Sequence, residues 1–466
     1  MALASAPGNL DPRFATDAVS ARIIRLLYRT LVDFDEQFRP VPDLADWKVV
    51  SPVHYRFTLR ELGREFSNGR RLDSEDVAAT YRFVLDPVNA SPHRANLQRI
   101  SRIETPDVDT VDFHLDRPDP LFPGYLVIAI VPREEADLGH APVGSGGFAL
   151  ESWPEEGRLR LRRRADDVVV ELLTVKDPTV RALKLLRGEV DLLQNDLPPE
   201  LVGYLREQDG VAVERRNGSN FSYLGFNLQD PWTGRREVRE AVAKGIDRAA
   251  IVRYLLKGGA AFAGALLPPD HWAGNPNLHG YDYDPDGARR LLAGLGFGPE
   301  HPLTLSYKTS SDPLRLRIAT VIQAQLRQVG IELDLRSYDW GTFYGDIKAG
   351  RFQMYSLAWV GIKTPDILRY VFHSRSLPPE GANRGRYRSA AADALIESAE
   401  TASTLEAQAS YYRQLQALIH HDLPYVPLWY EDHVAIHGRS VTGFTVARDG
   451  NYDGLNHLRP QSRESL

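Results

Sequence analysis

The 466-residue chain contains no cysteine, which excludes disulfide frameworks, thiolate metal sites and cysteine nucleophiles. It also lacks any window near the ~18 uninterrupted apolar residues that a membrane-spanning helix needs. A basic excess is missing too. The 56 Lys and Arg residues against 62 Asp and Glu leave a net charge of −6, which makes no electrostatic case for nucleic acid. The densest basic run, Arg158 to Arg164, carries Leu159 and Leu161 in alternation and reads as a solvated strand face. No G-x-S-x-G, H-E-x-x-H or paired-carboxylate spacing stands out. The opening MALASAPGNLDPRF has neither a basic n-region nor a long apolar core, so an exported protein with this sequence would already have shed its export segment.

At this length a single core stops growing and two or more subdomains are expected. Two segments share one grammar. In residues 168–193 an apolar run precedes Asp177 as helix cap and Pro178 at the first helical position. Val180, Leu183 and Leu186 then recur at helical spacing, Gly188 stops the helix, and Val190 to Leu193 begins a second strand. Residues 303–335 repeat the pattern: Leu303, Leu305 and Tyr307 alternate, and Asp312-Pro313 opens a helix. Leu314, Ile318, Val321, Ile322, Leu326 and Val329 form its apolar face, Gly330 ends it, and Ile331, Leu333 and Leu335 alternate again. Two β-α-β units imply parallel strands with crossover helices in separate lobes. Between them the strand Phe221 to Phe226 meets a turn at Asp230-Pro231, and Val238, Val242, Ile246, Ile251 and Leu255 read as one buried helical stripe. Residues 33–142 carry short alternating runs of an α+β subdomain, with one helix capped by Asp73. The apolar-poor end from Gln461 onward reads as a frayed tail.

The Gly-rich run Pro142 to Phe148 lacks the spacing of a phosphate cradle and reads as a tight turn. Adjacent His420 and His421 point about 100° apart on a helix, and surface or helix-end histidines suit them better than a metal site. The aromatics are more informative. Trp340, Phe343, Tyr344 and Trp359 fall close together beside Gly345, Gly350 and Gly361, and Phe221 and Tyr223 flank the presumed interlobe strand. Core packing accounts for Phe343 and Phe352. For Trp359 core and ligand cleft are both open, since ligands of α/β lobes tend to lie outside the carboxyl ends of parallel strands.

The order of short motifs resembles that of the dipeptide- and oligopeptide-binding proteins of ABC importers, the family-five solute-binding proteins. GNLDP with Leu27-Tyr-Arg-Thr-Leu31 resembles their first motif. Phe57-Thr-Leu-Arg60, Phe66-Ser-Asn-Gly69 and Glu75-Asp-Val77 resemble the next. Pro142-Val-Gly-Ser-Gly146 looks like their PVGTGPY turn, and Tyr223-Leu-Gly-Phe-Asn227, Val238-Arg-Glu-Ala241 and Ile246-Asp-Arg248 are similar to "YLxFN…VRxA…IDR". The matches run in order from about residue 8 to 458. This resemblance implies an α/β two-lobed periplasmic-binding-protein clamshell (type II, cluster C-like). Lobe I would comprise 1–32, 143–227 and 438–466, with the inserted subdomain at 33–142 and lobe II at 228–437. The chain would cross near Tyr223–Gln229 and His433–Gly438. It further implies a monomeric, non-enzymatic, periplasmic or extracytoplasmic receptor, without cofactor, metal or nucleic acid, that closes over a peptide or peptide-like solute and docks on membrane permease subunits.

In peptide-binding relatives the segment after the tryptophan matching Trp359 carries an aspartate that pairs with the peptide ammonium. Here Ile362 stands at that place, and Asp366 follows Pro365. Burying an ammonium without a countercharge costs several kcal/mol, so free-amino peptides are expected to bind poorly unless Asp366 or Asp339 substitutes. A blocked peptide, amphiphile, sugar conjugate or metal chelate is the alternative guest, and a cleft hydrolase the reading from another class. Trp359, Trp340, Tyr344, Phe221 and Tyr223 are the expected wall contacts. Asn220, Asn227 and Lys308 are the expected polar anchors.

Overall fold

The computed structural model describes residues 1–134, 138–155 and 157–461, so the frayed tail expected beyond Gln461 lies outside the described residues. The chain forms two compact units, Met1–Arg216 with His433–Leu466, and Asn217–Asp432. It passes from one to the other inside two long strands, Val211–Phe226 and Tyr425–Gly438. The crossings therefore fall at 216/217 and 432/433, upstream of the expected boundaries at 227/228 and 437/438. The turn at Asn227–Asp230 ends a strand, and periodicity within a continuous strand carries no mark of where it leaves one core for another.

In the first unit, the short strand Ala2–Leu3 lies parallel to both Val169–Thr174 and Leu192–Gln194. The β-α-β strands of residues 168–194 are thus separated by the start of the chain and do not pair with each other. Their helix Pro178–Leu186 begins as expected, with Asp177 accepting from the Val180 amide at 2.9 Å. Its buried side chains, however, are Arg181, Ala182 and Leu185, while Val180 and Leu183 stay 41% and 43% exposed. The helix is turned because Arg181 donates inward to the carbonyls of Val175 and Lys176, a polar demand that an apolar-stripe reading does not register. Strand Arg158–Arg163 buries Leu159, Leu161 and Arg163. The 33–142 region contains a four-stranded sheet in the order Ala45–Ser51, His54–Leu59, Thr110–Leu115, Ile100–Asp107. Helix Ser74–Leu85 covers its core with a capping box between Asp73 and Asp76. The Gly-rich run is a close approach of two backbones: a Cβ on Gly144 or Gly146 would meet the carbonyl oxygen of Leu27 or Leu26 at 2.0 and 2.3 Å.

In the second unit the sheet runs Ile331–Tyr338, Leu303–Ser310, Met354–Trp359, Val211–Phe226, Tyr425–Gly438. Leu303–Ser310 is parallel to Ile331–Tyr338 over eight residue pairs, and the crossover helix Pro313–Gln328 buries Ile318, Ala319, Ile322 and Leu326 on it. The stripe expected over 238–255 is interrupted. Helix Arg236–Gly245 ends with Ile246 extended, and Asp247 caps a fresh turn from Arg248 by accepting from the Ala250 amide. All five stripe residues still reach one core or its margin.

Candidate functional site

Register brings the expected aromatics to one sheet face of the second unit. Val211–Phe226 and Met354–Trp359 run antiparallel with Phe221 opposite Trp359, Tyr223 opposite Leu357 and Gly225 opposite Tyr355. Alternation along a strand puts these residues on the same side. Gly225 is needed because the Tyr355 ring crosses it; a Cβ there would lie 2.4 Å from that ring. Phe221 stacks on Tyr223 with centroids 5.6 Å apart, and Tyr223 stacks on Tyr425 at 4.0 Å. Phe221 and Tyr223 are buried, so they form the base of the face rather than its surface. Burial also pushes the phenols of Tyr223 and Tyr355 well above their usual range, which keeps both neutral.

The outer layer comes from helix Trp340–Lys348, capped by Asp339, which accepts from the Thr342 amide. Trp340 and Tyr344, one turn apart, stack almost parallel at 5.3 Å, and Trp340 is 59% exposed. Trp359 ends its strand half-buried, and its indole nitrogen is buried with no acceptor among the described residues. The next turn uses Gly361 at φ +73°, where a glycine is the least strained choice.

What joins these aromatics was not foreseen: Arg384. Its guanidinium carbon lies 4.8 Å from the Trp359 ring centre and 5.4 Å from that of Tyr344. Its two terminal nitrogens donate to the hydroxyls of Tyr223 and Tyr344, each at 3.1 Å. Arg384 is 7% exposed, and among the described residues no carboxylate pairs with it. Its loop is held firmly. The Asn383 side chain donates to the carbonyls of His373 and Tyr387 and accepts from the Tyr387 amide. Gly385 lies so close to strand Val211–Phe226 that a Cβ would sit 2.4 Å from the Phe226 carbonyl oxygen. The sequence signal for Arg384 is weak: in Asn383-Arg-Gly-Arg386 an arginine reads by default as solvated, and the Asn-Arg-Gly context is its one local mark.

The remaining expected contacts are distributed otherwise. Lys308 has a carboxylate of its own: Nζ meets Asp346 at 2.6 Å with both side chains largely buried. Asn227 spends its side-chain oxygen on the Gln229 amide in a turn. Asn220 is half-buried on the crossing strand. Ile362 is half-buried after Gly361. Asp366 precedes helix Ile367–Phe372 and accepts from the Thr364 hydroxyl, and burial pushes its carboxyl up. A second charged pair joins a crossing strand to helix Pro313–Gln328: Glu431 takes hydrogen bonds from Ser222 on the other crossing strand at 2.8 Å and from Arg315 on the helix at 2.5 Å. Among the described residues no group of three or more His, Asp or Glu side chains could hold a metal ion, and none of the helices is long and apolar enough to cross a membrane.

A two-unit α/β protein joined through two strands, with an aromatic face on one of them, has the architecture of a solute-binding protein. The family model for bacterial extracellular solute-binding proteins, family 5 Middle, matches residues 39–376, and the chain belongs to that family. It is 28% identical, over 92% of its length and 89% of the relative's, to the probable di/tripeptide-binding protein 5 of Pseudomonas aeruginosa strain UCBPP-PA14. Among solved structures it is similar to the periplasmic binding protein DppA of Helicobacter pylori in complex with peptide STSA. That likeness has a TM-score of 0.77 and 25% identity over 99% of this chain and 97% of the other. It shares its fold with NikA of Brucella suis in complex with Fe(III)-EDTA, at TM-score 0.88 and 21% identity over 99% of both chains.

Proposed function

We propose that the protein is an extracytoplasmic receptor that captures a peptide or peptide-like small molecule and hands it, chemically unchanged, to the permease subunits of an ABC importer. The observation that carries this reading is the aromatic face of the second unit. Trp340 offers an exposed flat ring stacked on Tyr344, Trp359 holds an indole donor without an acceptor among the described residues, and buried Phe221 and Tyr223 support them. Broad aromatic surfaces with a few fixed polar groups suit solutes that are mostly apolar and carry a backbone or chelate of hydrogen-bonding atoms. The family membership supports transport rather than catalysis.

Ile362 favours a guest without a free ammonium at this end. No acid follows Trp359 until Asp366, whose burial already disfavours its ionised form. An N-blocked peptide or a metal chelate meets that condition. The test is native mass spectrometry of the purified protein, followed by denaturing extraction. A small molecule released intact is the expected result. A free-amino peptide bound at submicromolar affinity and lost on N-acetylation would overturn the guest assignment, and conversion of an extracted ligand into products would point to a hydrolase instead.

A further inference from the structure

Resting on the receptor reading, we infer that Arg384 and the Trp359 indole form an anchor for an anionic group, and that the solute carries a carboxylate or a comparable oxyanion at that end. The groups gathered there are donors. The Arg384 guanidinium has five N–H bonds, of which two are directed to the Tyr223 and Tyr344 hydroxyls at 3.1 Å. The Trp359 indole N–H has no acceptor among the described residues, although it is buried, and its ring lies 4.8 Å from the guanidinium. Both tyrosine hydroxyls are already acceptors for Arg384, and the neutral Tyr223 phenol supplies no countercharge.

A guanidinium withdrawn from water without a carboxylate is expensive to maintain, and contacts with aromatic faces offset only part of that cost. The neighbouring cations of this unit show the ordinary solution, a carboxylate or full-strength carbonyl acceptors: Lys308 has Asp346, Arg315 has Glu431, and the buried Arg239 and Arg248 donate to backbone carbonyls. Arg384 departs from it while its loop is clamped by Asn383 and seated by Gly385. A charged donor held rigidly and left without its opposite is the arrangement expected where the ligand supplies that opposite. The exposed Lys348 ammonium, 5.1 Å from the centre of the Tyr344 ring, adds a second positive charge nearby. Asp339 is spent on a helix cap and Asp346 on Lys308 and Arg351. An oxyanion is therefore preferred over an ammonium at this place, in keeping with Ile362.

The probes are N-acetyl-alanyl-alanine, its C-terminal amide, free alanyl-alanine and glutarate, each titrated calorimetrically into wild type, R384Q, R384K and W359F. The N-acetylated acid is expected to bind at least about tenfold more tightly than its amide, the effect of one good charge-assisted contact. R384Q should abolish that preference, R384K should keep part of it, and W359F should weaken the acid selectively by a few-fold. Equal binding of acid and amide, or an intact preference in R384Q, would overturn the inference. Arg384-dependent binding of glutarate without binding of any peptide would reject the peptide reading and leave the anion anchor standing. Failure of every probe to bind wild type at millimolar concentration would remove the anchor as well. Thermal unfolding of each variant shows whether it folds; should R384Q not fold, R384K and W359F decide the outcome through the same acid-to-amide ratio.

Discussion

Lys308 and Arg384 are both buried cations of the second unit, 8% and 7% exposed, yet they are accommodated in different ways. Lys308 belongs to the parallel strand Leu303–Ser310 and meets Asp346, which also takes an ion pair from Arg351 at 2.7 Å. Arg384 has two hydroxyls and two ring faces instead. In the first arrangement a carboxylate compensates the buried ammonium and ties a strand to the helix beside it. The second leaves a positive charge facing aromatic surface. The difference separates a cation that serves the fold from one that serves a ligand, a separation that residue type alone does not make: Lys308 is one of three polar anchors expected from the sequence, and Arg384 is not among them.

The comparison breaks first at Asp346. Replacing it by Asn strips a buried ammonium of its partner and should cost about 3 kcal/mol of unfolding free energy in urea titration, with the acid-to-amide binding ratio unchanged. A loss below about 0.5 kcal/mol, the scale of an ordinary surface change, would mean that the ion pair is structurally idle. Glu431→Gln is expected to cost about 2 kcal/mol, the value of hydrogen bonds to a charged partner, because Arg315 and Ser222 both donate to that carboxylate. Arg315 holds the Glu431 carboxyl below its usual range against the opposing effect of burial. Its stabilisation is therefore present at neutral pH and lost as pH falls through the depressed value, so the E431Q penalty should shrink in acid.

Arg384→Met should change stability by no more than about 1 kcal/mol, because the loss of two charge-assisted hydrogen bonds is offset by removal of an uncompensated buried charge. A loss as large as that of D346N would place Arg384 in the fold and not in the site. Asp366→Asn sharpens the comparison from the acidic side. Burial raises the folded-state carboxyl above the ordinary 3.8, so ionisation opposes folding as pH rises from that value through the folded one. D366N should therefore melt higher than wild type at pH 7 and equal to it near pH 3. Trp340→Ala is expected to leave the melting temperature nearly unchanged, since the ring is 59% exposed, and to weaken ligand binding by about tenfold, the scale of one aromatic stack.

Much of the fold could be read from local chemistry. The caps Asp73, Asp177 and Asp312, each followed by a helix of matching start, are short-range hydrogen-bonding decisions that a sequence displays openly. The parallel pair around residues 303–338 could be read for the same reason, since strand, helix and strand are contiguous. What could not be read depends on distant partners. Ala2–Leu3 wedges between the strands of residues 168–194. Inward bonds of Arg181 turn its helix so that Val180 and Leu183 face water. The crossings sit mid-strand. The candidate site divides likewise: aromatic residues near strand ends were visible as a set, whereas Arg384 joins them from about 25 residues after Trp359 on a loop, by contacts that exist only once the sheet has formed.

The most direct measurement is a crystal structure of the ligand-loaded protein. A carboxylate or other oxyanion within about 3.2 Å of the Arg384 guanidinium and the Trp359 indole nitrogen is the expected result. An ammonium in that position, or a bound solute that leaves Arg384 with its tyrosines alone, would contradict it.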